Sequence, residues 1–129
     1  MNEREFTRAV LNLAGELGWK TAHFSSTVRV VRKRGGQYAT IPDRGAIGFP
    51  DLVLVKDERI IFAELKAKRG ILTEAQAEWL RVLHAAGAEI YIWREHQDWP
   101  GNVSKVLGSS VPAARTDQAG VVMARRKDR

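Results

Sequence analysis

The sequence predicts one α/β domain with a central mixed sheet flanked by helices, and three observations predict it. Apolar residues recur at helical spacing near the N-terminus and again after residue 73. Between and beyond these stretches lie short β-prone runs bounded by glycine, proline and acidic turn residues. Their order is helix, strand, a basic ribbon, two strands, helix, strand, which is the order of a sheet with helices packed on its faces. A chain of 129 residues fits one domain with a modest core, and nothing in it asks for a second.

The first helix covers residues 3–17. Phe6, Val10, Leu13 and Leu17 form its apolar stripe, Ala9 and Ala14 fill the same face, and Gly18 stops it. Glu3 lies one turn before Phe6, toward the edge of the buried face, whereas Glu5 projects elsewhere. The first strand spans Trp19 to Ser25, with Thr21, His23 and Ser25 on one side and Ala22 and Phe24 on the other. That polar side suits a cleft and makes His23 a candidate substrate contact; the plain alternative is a hydrogen-bonded structural histidine.

Residues 26–46 predict a basic hairpin, VRVV and QYATI around a GGQ turn. Arg29, Arg32, Lys33 and Arg34 cluster there beside Tyr38, a composition suited to tracking a nucleic-acid backbone. A solvated loop explains it equally well.

The densest stretch runs from Gly48 to Gln76. DLVLV and RIIFAELK read as adjacent strands joined at Lys56-Asp57-Glu58. Side chains alternate along a strand, so Glu64 and Lys66 share one face while Ala63 and Leu65 take the other. Asp51 opens the preceding strand after a proline, and a hairpin brings it across from Glu64. Two carboxylates and an ammonium then converge, the composition of a Mg²⁺ site facing a phosphate. The competing reading of this trio is a surface ion-pair network at the end of a hairpin.

Beyond the strands, Lys68-Arg69-Gly70 is a basic turn. Thr73 and Gln76 fit a capping box opening the second helix, with Leu72 stapled against Ala77. Gln76 shares a helical face with Leu80 and Leu83, so it also points over the sheet toward Lys66. Trp79 reads as core, Gly87 closes the helix, and Ala88 to Trp93 is a further strand. Residues 94–107 hold a turn at Trp99-Pro100-Gly101 and a short helical piece. The domain is expected to end at 107, leaving 108–129 as a basic tail that is disordered, binds nucleic acid or is ordered by a partner.

The formal charge is +6 with a pI near 10.1, which favours an anionic partner. Part of the excess is in the tail: residues 101–129 carry six Lys and Arg against two Asp and Glu, residues 1–100 fifteen against thirteen. The basic character of the domain is therefore local to Arg29–Arg34 and to Lys66, Lys68 and Arg69. With no cysteine there is no disulfide, thiolate nucleophile or Cys-based zinc site. No apolar run reaches membrane-spanning length and the N-terminus is charged, so the expectation is a cytoplasmic protein with no membrane partner.

Pro50-Asp51 followed by Glu64-x-Lys66 is the PD-(D/E)xK nuclease signature. With GFPD, FAELK, Gly70, Gln76, Trp79 and Gly87, the chain resembles the VRR-NUC branch of that superfamily over roughly residues 3 to 95, in particular its short stand-alone members found in phages. The resemblance implies a restriction-endonuclease-like core and a metal-dependent DNA endonuclease acting on branched DNA such as junctions and flaps. It further implies a homodimer and, if phage-encoded, the host cytoplasm.

Asp51 and Glu64 would then bind Mg²⁺, with Mn²⁺ as the alternative ion, helped by the backbone carbonyl of Leu65. Lys66 would hold the attacking water or the phosphate, with Gln76 and Glu3 behind them. For Glu3 the competing reading is a first-turn acid that complements the helix dipole. Arg29, Arg32, Lys33, Arg34, Lys68, Arg69 and His23 are the nucleic-acid candidates. Neither a GxSxG nor a GxxxxGK[ST] motif occurs. Two other functions remain: a nucleic-acid-binding module without turnover, and a basic assembly or regulatory protein.

Overall fold

The computed structural model describes residues 1–24, 28–42 and 46–110, with backbone alone for 28–30 and 40–42. In chain order the elements are α1 (Glu3–Glu16), β1 (Lys20–His23), β2 (Val28–Arg32), β3 (Tyr38–Pro42), β4 (Leu52–Lys56), β5 (Arg59–Lys66), α2 (Glu74–Ala85), β6 (Glu89–Arg94), α3 (Glu95–Asp98) and α4 (Gly101–Gly108). The main sheet has the order β1-β4-β5-β6. Its first three strands pair antiparallel, while β5 and β6, joined through α2, pair in parallel. The fold is thus α/β with a mixed central sheet, as the sequence predicts. β2 and β3 form a separate two-stranded ribbon in which Arg32 pairs with Tyr38.

The strand pleat divides the core in two. Leu52, Leu54, Ile61, Ala63, Leu65, Tyr91 and Trp93 are buried against Phe6, Val10 and Ala14 of α1 and Val103, Val106 and Leu107 of α4. On the opposite face Ile90 and Ile92 pack with Leu80 of α2, and Phe62, Leu72 and Leu83 flank them. Helix α4 is the short helical piece the sequence reading expects, with a core role that reading does not assign. Its three apolar residues at helical spacing close one face of the sheet. Eight residues opening on Pro-Gly give too brief a pattern to reveal that role.

Local chemistry fixes both long helices. Asn2 caps α1 by accepting from the Glu5 amide at 2.8 Å, while the Glu5 carboxylate accepts from the Asn2 amide at 2.9 Å. Thr73 and Gln76 do the same for α2, at 3.1 and 2.9 Å.

At the far end of the sheet Arg59 is buried in an ion pair with Glu89. It donates to the carbonyls of Val106 at 3.2 Å and Ser109 at 2.6 Å and lies 5.1 Å over the Trp19 ring. A buried guanidinium is tolerable only with such a full set of partners. The clamp ties α4 to the start of β5 and leaves the other end of that strand, with Glu64 and Lys66, for chemistry.

Candidate active site

The site forms where the sheet forks. Pairing between β4 and β5 stops at Leu52 opposite Ala63. β5 continues through Glu64, Leu65 and Lys66, paired there with β6. Asp51 sits in the fork, its carbonyl accepting from the Phe24 amide at 2.8 Å. Its Oδ2 accepts from the Leu65 amide at 2.9 Å, a donor the β4 ladder no longer reaches.

The loop leading to Asp51 is held from two directions. Gly48 has φ +86°, and a Cβ there would lie 2.5 Å from the backbone carbon of Ala75, so only glycine lets this loop press on the first turn of α2. The Phe49 ring makes edge contacts with Phe24, Phe62 and Trp79 at 5.5, 6.0 and 5.0 Å between centroids. Trp79 is therefore part of this aromatic packing, as its helical position predicts.

Glu64 is 2 % exposed. Its Oε2 accepts from Gln76 Nε2 at 2.9 Å and lies 3.7 Å from Lys66 Nζ, whereas Oε1 is buried without a donor among the described residues. The Asp51 and Glu64 carboxyls are within hydrogen-bonding reach of each other once one is protonated. Burial, reinforced by the Asp51 charge, pushes the Glu64 carboxyl up to about 8 from an ordinary 4.5, although Lys66 opposes the rise. Burial also raises Asp51, partly offset by its bonds to the Leu65 amide and to Glu64 and by Lys66 and His23 nearby. Two facing carboxyls with one oxygen lacking a donor need a proton or a cation between them.

Gln76 serves helix and site together. Its Oε1 completes the cap on Thr73, which turns Nε2 toward Glu64, not toward Lys66 as its helical face alone suggests. Lys66 passes beside Gly70, where a Cβ would lie 3.2 Å from its Cδ. Arg94 donates from Nη1 to the carbonyls of Ala67 at 3.2 Å and Gly70 at 2.6 Å and so pins the turn that exposes Lys68 and Arg69.

A cleft of about 650 Å³ opens beside Asp51. His23 lines it from β1, and Glu3, Arg4, Arg8 and Asn12 line it from α1. Glu3 adds to the rise of the Glu64 carboxyl through its charge. Among the described residues, however, no group of three or more His, Asp or Glu closes around one point. Arg32, Lys33 and Arg34 are exposed on the separate ribbon, and the Arg29 side chain and residues 111–129 lie outside the described residues. Arg4, Arg8 and Arg94 have no role in the sequence reading, and Phe49 enters it only within the GFPD string. The two α1 arginines, four residues apart, had a visible signal in their spacing, whereas Arg94 had none.

No helix among the described residues is long and apolar enough to cross a membrane. No curated protein and no solved structure matches the chain. The family model of the VRR-NUC domain matches residues 17–96, from the start of β1 through β6, and includes the Asp51, Glu64 and Lys66 fork while leaving α1 outside. With more than half of its length so matched, the chain belongs to the VRR-NUC domain family, whose function is of the nuclease type.

Proposed function

We propose that the protein is a divalent-metal-dependent endonuclease that hydrolyses DNA phosphodiester bonds, with Asp51, Glu64 and Lys66 at its centre. The observation that carries this reading is the buried Glu64 carboxyl, which faces Asp51 with one oxygen lacking a donor and an ammonium 3.7 Å from the other. A buried carboxyl facing a second acid in this way costs stability when charged unless a proton or a cation joins it.

Asp51 and Glu64 are hard oxygen donors that fit Mg²⁺ or Mn²⁺, and the Leu65 carbonyl projects from the same strand edge as the amide that bonds Asp51. Two protein carboxylates suit an ion that keeps several waters and takes its remaining ligands from a phosphate. Such an ion supplies positive charge to the scissile phosphate and lowers the pKa of water. Lys66 holds an ammonium at the same place, where it orients the phosphate or the attacking water. Gln76 fixes the rotamer of Glu64, and Glu3 and His23 border the space the substrate would enter.

The expectations of branched DNA and a homodimer rest on the family resemblance. Incubation of linear, flapped and four-way DNA with Mg²⁺, Mn²⁺ or EDTA tests activity and shape preference together, and light scattering reads the assembly. Metal-dependent cleavage that disappears in Asp51→Ala and in Lys66→Ala supports the reading. Binding without cleavage by the wild type, or cleavage unchanged in EDTA, refutes it.

A further inference from the structure

Beyond Glu3, the α1 wall of the cleft has no part in the centre described above, yet it is built like a contact surface. Arg4 and Arg8 lie one turn apart and both line the cleft that Asp51 borders, with Asn12 a further turn along. Residues four apart on a helix present side chains about 6 Å from each other, so the three form a row. Both arginines are exposed, and among the described residues neither takes part in an ion pair. Glu5 is occupied by the helix cap. The acids that border the cleft, Glu3 and Asp51, lie at the end where the proposed ion would sit.

Phe6, Val10 and Ala14 on the other side of α1 are locked into the core, so the row is carried by a rigid element. Guanidinium groups grip phosphate oxygens bidentately, and amide side chains such as Asn12 add neutral contacts to the same backbone.

We propose that Arg4, Arg8 and Asn12 form a phosphate track that holds the DNA strand beside the scissile position, with the arginines on successive backbone phosphates. The proposal rests on the nuclease reading and deepens it. It assigns the principal grip to a helix outside the stretch matched by the family model, in place of the basic ribbon of β2 and β3. These residues contact phosphates away from the bond that breaks, so they set affinity and register while leaving the chemistry of the bound complex intact.

The test compares the wild type, Arg4→Gln/Arg8→Gln and an equal-charge control, Arg81→Gln/Lys105→Gln, whose exposed residues lie on α2 and α4. Binding of a labelled DNA duplex in EDTA and steady-state cleavage with Mg²⁺ are each followed across a salt series. For the α1 variant the slope of log affinity against log salt becomes shallower by about 2, one per lost phosphate contact. KM rises at least tenfold with kcat at saturation unchanged, and the control behaves like the wild type. Far-UV circular dichroism checks that the variants are folded, which the exposure of all four side chains favours.

A wild type that cleaves DNA while the α1 variant keeps its salt slope and KM overturns the track and leaves the nuclease reading standing. Equal losses in the control also overturn it, since net charge alone then explains them. A wild type that neither binds nor cleaves overturns both.

Discussion

The most exposed consequence of the proposed metal site is a competition between proton and metal at Glu64. Burial and the Asp51 charge raise its carboxyl to about 8 in the folded chain, against 4.5 for an ordinary glutamate. At 1.36 kcal/mol per pH unit this is worth about 5 kcal/mol as an upper figure. The folded state holds the proton more tightly than the unfolded state, so between these two values it binds more protons. The contribution to stability is therefore complete below 4.5, declines as pH rises through the window, and is gone above about 8. An ion that needs the charged carboxylate must displace that proton, so its apparent affinity rises about tenfold per pH unit up to about 8 and then levels off.

Thermal melts of the wild type and of Glu64→Gln, with and without Mg²⁺, read both halves of this linkage. The Mg²⁺-induced rise in Tm of the wild type should grow from about pH 6 to about pH 8, as the ratio of ion concentration to Kd grows. Without metal, Glu64→Gln should match the wild type at acid pH and exceed its stability at about pH 9, because the neutral isostere removes the buried charge. In that variant the Mg²⁺ response should be lost. A Mg²⁺ effect on the wild type that is the same at the two ends of the pH range refutes the reasoning, as does a metal-free Glu64→Gln that is less stable throughout.

Gln76→Ala removes the donor that orients Glu64, and if Glu64 is the proposed metal ligand kcat/KM should fall about 10–100-fold, the usual cost of losing a group that holds such a ligand. A variant with wild-type kcat/KM would show that Gln76 serves the helix cap alone. Gly48→Ala forces a Cβ to within 2.5 Å of the Ala75 backbone at positive φ and should destabilise the fold by about 1–3 kcal/mol in urea titrations. It should also reduce cleavage, because α2 must shift and carry Gln76 with it; full activity in the folded variant would uncouple loop from helix. Arg59→Ala leaves the largely buried Glu89 with the Tyr91 hydroxyl in place of its cationic partner and should cost about 3–5 kcal/mol. Its kcat, measured where the variant is still folded, should stay unchanged, since the clamp lies at the other end of β5; a selective loss of kcat would contradict that separation.

The sequence by itself determined what is local. The alternation in DLVLV and RIIFAELK put Glu64 with Lys66 and Ala63 with Leu65, because successive side chains of a strand must point to opposite faces whatever surrounds them. The apolar stripe of α1 and the Thr73 cap were equally legible, since both depend on residues within one turn of each other. Tertiary structure decided what depends on partners distant in the chain. The fork that admits Asp51 exists because β4 stops pairing at Ala63 while β6 continues, and no pattern within β5 announces that. The burial that lifts Glu64, the turn of Gln76 toward it, the Arg94 pin on the basic turn and the closure by α4 all require surfaces brought together from different elements. A side chain's direction follows from its own backbone, but its solvent, its partners and hence its protonation follow from what the rest of the chain packs around it.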